Sequence, residues 1–245
     1  MFFGGFLSLF FIFDIKGGAG YNYSVDFLFL IRGGLFLENK RGLFIVIEGV
    51  DGSGKTTQSE MLSAYLREKG RRVHHTAEPT ASGLGGMVRD GLGAEHPRTS
   101  DELAAMFLAD RVAHNVSPKS GIRQYIEGGT DVVCDRYYYS SIAYQGVGGS
   151  LNWVAEMNLN CPSIMKPDIC VFIDLDPEKC LEHIRAGRSH FEIYEENAEI
   201  ISETRCRYGI VFDMLKGRDN IVIVDGTRTK EEVFANIKAA IDKLL

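Results

Sequence analysis

The sequence predicts an α/β fold: five parallel strands with helices on both faces, plus a short lid segment. Three observations predict it. Apolar, β-branched runs alternate with amphipathic stretches from residue 43 onward. One such run leads through a glycine-rich turn straight into a helical pattern. No internal repeat or low-complexity linker interrupts residues 41–245, so one domain is expected there. At 245 residues and 45% hydrophobic content, the chain can bury one substantial core.

The elements follow in order. "LFIVI", Leu43 to Ile47, is short, apolar and β-branched, as a strand buried on both faces should be. "TTQSEMLSAYLREKG" reads as an amphipathic helix stopped by Gly70. "RRVHHTAEP" is a short strand closed by Pro79, and residues 99–116 form a helix whose capping box pairs Thr99 with Glu102. "DVVCDR" and "ICVFIDL" are further strands. In "DPEKCLEHIRAG", Asp176 is the expected N-cap, Pro177 the first helical residue and Gly187 the stop. "NIVIVDG" is the last strand and "TKEEVFANIKAAIDKLL" the last helix.

The turn after the first strand carries chemistry. "GVDGSGKTT" fills the pattern G-x-x-x-x-G-K-T, with Val50, Asp51, Gly52 and Ser53 between Gly49 and Gly54 and Thr57 just beyond it. Glycines let successive backbone N–H groups turn inward toward phosphate oxygens, and the following helix adds the positive end of its dipole. Lys55 can reach the outer phosphates of a bound polyphosphate, and the Thr56 hydroxyl can ligate a phosphate-bound Mg²⁺. This is the signature of a P-loop NTPase-type sheet, whose ligands bind beyond the carboxyl ends of the strands. Asp135 and Arg136 close a strand at that edge; the carboxylate suits Mg²⁺ and the guanidinium suits a phosphate.

Other candidates are less decided by residue type. Phe107 and Arg111 share a helix face, but alone they read as a core aromatic and a solvated cation. Ser140, Ser141, Tyr144 and Gln145 share a space if their segment turns helical; a base edge, a sugar, or plain capping and surface roles all remain open. Arg185 and Arg188 lie in a charged segment without apolar period, where a lid could supply a cation to a transferring phosphoryl group.

A net charge of −6 provides no field that would gather nucleic acid. Five cysteines, without a C-x-x-C pair, suit a reducing cytoplasm, and buried packing is expected of each. Residues 1–40 are rich in Phe and Gly without a clear period. Their apolar runs are too short to span a membrane, and no early Lys or Arg marks a secretory signal. An extension outside the functional domain is the preferred reading, ahead of an extra hairpin or a weak membrane-contacting arm.

Taken in order, "FIVIEGVDGSGKTTQ", "EPT" at 78–80, "MFLADR" at 106–111, "DRYYYSSIAYQG" at 135–146 and "PDICVFIDLDPE" at 167–178 resemble the thymidylate kinase (dTMP kinase) family over essentially all of residues 43–245. The resemblance implies transfer of a phosphoryl group from ATP to dTMP, Mg²⁺ as cofactor, and a homodimer. It implies that Phe107 stacks on thymine, Arg111 donates to a base carbonyl, Ser141 meets the base edge and Tyr144 lies against the deoxyribose. It places Arg136 and Arg89 on the acceptor phosphate, Asp51 near that phosphate and the 3′-hydroxyl, Lys55 on the donor phosphates, and Arg188, with Arg185 close by, in the lid. Glu78 and Gln145 complete the acceptor pocket. Two departures stand out: Ala77 occupies a position where many relatives carry Arg, and "FEIYEE" makes the lid acidic. The rivals are a kinase of another nucleotide or of a deoxynucleoside, for which Glu78 would be the base, and a non-catalytic nucleotide-binding module.

Overall fold

The computed structural model describes residues 41–93, 96, 98–147, 150–187, 194 and 197–245. The expected extension at 1–40 and Arg188 lie outside the described residues. Five strands, β1 (Phe44–Glu48), β2 (Val73–Ala77), β3 (Asp131–Asp135), β4 (Ile169–Asp174) and β5 (Ile221–Asp225), pair in parallel in the order β2-β3-β1-β4-β5. All five coincide with the predicted runs. The chain leaves β1 toward β2 on one side and reaches β4 on the other, so β1 sits at the point where the winding reverses.

Alternation along the strands splits the core in two. Ile45 and Ile47 of β1, Val133 of β3 and Val171 of β4 face α1 (Lys55–Glu68) and α9 (Lys230–Ile241) through Leu62, Leu66, Val233 and Ile237. Phe44, Val46, Cys134 and Phe172 face the other way. There they pack on Tyr139 and Ile142 of α5 (Tyr138–Gln145) and on Tyr208 and Val211 of α8 (Ala198–Leu215). Each such buried aliphatic side chain contributes about 1.5–3 kcal/mol.

The predicted helix signals are present. Beyond Gly70, which has φ +79°, the Gly70 and Arg71 N–H groups donate to Arg67 and Leu66 carbonyls and close α1. Thr99 and Glu102 form the capping box of α3 (Ser100–Val116). The Asp176 carboxylate accepts from the Glu178 N–H at the start of α7 (Pro177–Gly187). Four further helices were not foreseen: α2 (Gly83–Leu92), α4 (Ile122–Glu127), α6 (Leu151–Leu159) and α8. The expectation that every cysteine is buried needs correction. Cys134, Cys170 and Cys180 are buried, but Cys161 is half-buried and Cys206 is exposed on the outer face of α8.

Candidate active site

The loop from Gly49 to Gly54 joins the buried end of β1 to α1. Gly52 adopts φ +78°, and a Cβ there would meet the Cys180 carbonyl oxygen at 2.2 Å, so this position requires glycine. Gly54, at φ +90°, is the N-cap of α1, and no side chain among the described residues caps that helix. Its first-turn N–H groups are therefore left for an anion. Lys55 is buried and folded back, its Nζ donating to the Val50 carbonyl at 2.8 Å. Burial, and then the Arg136 guanidinium, pushes its pKa down.

Beyond the loop opens a cavity of about 250 Å³. Asp51, Lys55 and Arg136 line it as one charged cluster, and Phe107 and Arg111 are among its other lining residues. Arg136 follows β3 at φ +68°, a conformation non-glycine residues rarely adopt. Its N–H donates to the Ile47 carbonyl, and the next N–H, of Tyr137, donates to the Glu48 carboxylate. Its guanidinium pairs with Asp51, donates to Ser140 and lies over the Tyr144 ring. Burial works against both charges of the pair. For Asp51, Arg136, Lys55 and the Tyr144 hydroxyl outweigh burial and hold the carboxyl at about 2. For Arg136, Asp51 outweighs it and holds the pKa well above the ordinary value.

Thr56 Oγ1 donates to Asp135 Oδ2 at 2.7 Å. Asp135 Oδ1 is buried without a hydrogen-bond partner among the described residues. A hydroxyl and a carboxylate with a spare buried oxygen form a donor set that fits a hard divalent cation.

Arg111 corrects the solvated reading. It is 1% exposed, with Glu78 Oε2 accepting from its Nε at 2.8 Å, Ser141 accepting from Nη2 at 3.0 Å and Asn158 accepting from Nη1. Phe107 is core in part, packed with Val88, Leu92 and Leu103, while its remaining surface lines the cavity. Helix α5 brings Ser140, Tyr144 and Gln145 to the same cavity, so the helical alternative for that segment holds. Ser141 does not line it; its hydroxyl lies behind Arg111. Gln145 Oε1 is buried and unpartnered among the described residues. Arg89 lines the cavity and donates to the Pro79 and Thr80 carbonyls at 3.0 and 2.7 Å. Arg185 is exposed on α7 and does not line it.

Three further residues contribute that the sequence does not single out. Glu48, fully buried, accepts from the Tyr137 and Ser140 N–H groups and from the Ser140 and Tyr208 hydroxyls, so it caps α5 from outside. Burial raises its pKa. Asp110 accepts from the Thr80 N–H and hydroxyl and fixes the turn that cradles Arg89. Tyr194 meets Tyr144 edge-on at 5.1 Å and closes one cavity wall. Neither carboxylate has a local pattern: Glu48 meets α5 across 89 residues or more, and Asp110 meets Thr80 across 30.

A glycine loop between the central strand and a helix, at the reversal of strand order, defines a P-loop nucleotide-binding protein. A family model described as thymidylate kinase matches residues 47–237. A probable thymidylate kinase of Pyrococcus horikoshii is 34% identical over 207 residues, 82% of this chain and 96% of that protein. The thymidylate kinase of Thermosipho melanesiensis is 34% identical over 205 residues, 83% of this chain and 99% of its own length. That of Carboxydothermus hydrogenoformans is 35% identical over 207 residues, 83% and 98% respectively. The chain belongs to the thymidylate kinase family.

Proposed function

We propose that the protein transfers the γ-phosphoryl group of ATP to the 5′-phosphate of dTMP, yielding ADP and dTDP. One observation carries the reading: a single cavity joins the phosphate loop to a buried aromatic–guanidinium pair, Phe107 and Arg111. An oxygen of the dTMP phosphate attacks Pγ, and the bond from Pγ to the β,γ-bridging oxygen breaks as ADP leaves. The acceptor is already an anion, so no covalent enzyme intermediate and no general base are required. Positioning and charge neutralisation supply the rate.

In this reading the loop from Gly49 to Thr57 holds ATP, with Lys55 swinging from the Val50 carbonyl to the donor phosphates. Thr56 and Asp135 hold Mg²⁺, which when bound offsets charge on those phosphates. Arg136 binds the acceptor phosphate with help from Arg89, and Asp51 orients Arg136 while lying near the 3′-hydroxyl. Phe107 stacks on thymine, Arg111 donates to a base carbonyl, and Ser141 acts through Arg111. Tyr144 lies against the deoxyribose, and Gln145 lines the acceptor pocket beside it. Arg188, with Arg185, supplies lid charge; this assignment rests on their place in a charged segment and on the family resemblance. The homodimer rests on the resemblance, and the cytoplasmic setting on the cysteine pattern. Among the described residues no helix is long and apolar enough to cross a membrane. Residues 41–245 are proposed as the catalytic unit, consistent with a family match confined to 47–237.

Glu78 is a poor candidate for the base a deoxynucleoside kinase would need. Both its oxygens already accept, from Arg111 and His114. The test is ADP release in the presence of dTMP, dUMP, dCMP, dGMP and thymidine, with the full chain and with residues 41–245. Turnover with dTMP and little with thymidine is expected. Turnover of thymidine but not dTMP would overturn the assignment.

A further inference from the structure

We infer that His114 is a positioning residue for base recognition, acting through Glu78 on Arg111. Nothing in the proposed chemistry uses this imidazole, yet it is built into the wall behind the base pocket. His114 lies three residues after Arg111 on α3, so both side chains reach the same turn beyond β2. Its Nδ1 stands 3.0 Å from Glu78 Oε1, and its Nε2 stands 2.9 Å from Thr76 Oγ1. Glu78 Oε2 accepts from Arg111 Nε at 2.8 Å and lies 2.8 Å from Nη2. The side chains of Glu78 and Arg111 are each 1% exposed, and that of His114 is 6% exposed.

The chemistry of these contacts fixes the arrangement. A carboxylate oxygen can only accept, so Nδ1 carries a proton. Thr76 can then donate to Nε2 or accept from it, and the ring is held at both ends. One carboxylate is thus divided: Oε1 is committed to the imidazole and Oε2 to the guanidinium. Without the donor at Nδ1, the carboxylate would be free to rotate and engage Arg111 through both oxygens, since the side-on fork is the preferred guanidinium–carboxylate geometry. Oε1 would then take Nη2, which now shares Oε2 with Nε, and the guanidinium would turn relative to Ser141 and the cavity. His114 therefore sets how Arg111 presents its remaining N–H groups, without itself meeting the nucleotide.

The inference rests on the assignment of Arg111 to the base, and its test separates the two. Steady-state constants are measured for the full chain and for His114→Asn, His114→Gln and His114→Leu. Asparagine can place an amide donor near Nδ1, facing Glu78; glutamine places one near Nε2, facing Thr76. His114→Leu and His114→Gln are expected to raise KM for dTMP on the order of 10-fold and to narrow the preference for dTMP over dCMP. KM for ATP is expected to stay within about two-fold, and His114→Asn to recover most of the loss. Equal constants for the Asn and Gln variants would overturn the role of His114, and so would losses shared equally by ATP and dTMP. The Asn–Gln comparison decides the matter even if His114→Leu does not fold. Absence of dTMP turnover by the unaltered chain would overturn the base assignment and this inference together; turnover with indistinguishable variants overturns this one alone.

Discussion

Asp51 is the group whose replacement has the most calculable consequence. In the folded protein its carboxyl sits at about 2 against an ordinary 3.8, because Arg136, Lys55 and the Tyr144 hydroxyl outweigh the cost of burial. The depressed value means that the ionised form stabilises the fold at pH values above 3.8, and that this contribution is lost as pH falls through about 2. The interval corresponds to about 2 kcal/mol at pH 7 and about 1 kcal/mol near pH 3. Asp51→Asn keeps the shape and an acceptor for Tyr144 but leaves Lys55 and Arg136 facing each other without a counter-charge. Urea unfolding without nucleotide should therefore show the variant about 2 kcal/mol less stable at pH 7, with the gap roughly halved at pH 3. A variant as stable as the wild type at pH 7, or a gap independent of pH, would refute the reasoning.

Two further substitutions probe the same site. Arg136→Lys retains charge but loses the fork that engages Asp51 and a phosphate together; kcat/KM for dTMP should fall roughly 10–100-fold with KM for ATP little changed, as measured by initial rates. Gly52→Ala forces a Cβ against the Cys180 carbonyl at a backbone angle that disfavours it. It should lower stability by about 1–3 kcal/mol and raise KM for ATP, read from thermal melts and donor titration.

Much of the fold was legible because its signals are local. The strands β1, β3 and β4 are apolar and β-branched as doubly covered strands must be, and Thr99–Glu102 and Asp176–Pro177 announce their helices within four residues. Helix α2 was not legible, since four of its ten residues are glycine and its cap, Ser82, sits in a turn held by Asp110. Helix α8 follows a charged stretch that hides its Asn197 cap, and its β-branched and aromatic residues imitate a strand. The site divides in the same way. The phosphate loop is continuous in sequence and was read directly. Arg111 looked solvated because its partners Glu78, Ser141 and Asn158 lie 33, 30 and 47 residues away. Glu48 carries no local signal for the same reason: it joins Ser140 and Tyr208, 92 and 160 residues distant, and only the folded sheet brings them together.

The most direct measurement follows both phosphates at once: phosphorus NMR of the protein with Mg²⁺, ATP and dTMP. Signals of dTDP and ADP should grow together as ATP and dTMP decline, with no matching release of inorganic phosphate. Consumption of ATP to inorganic phosphate while dTMP stays intact would contradict the claim that one cavity brings donor and acceptor phosphates together.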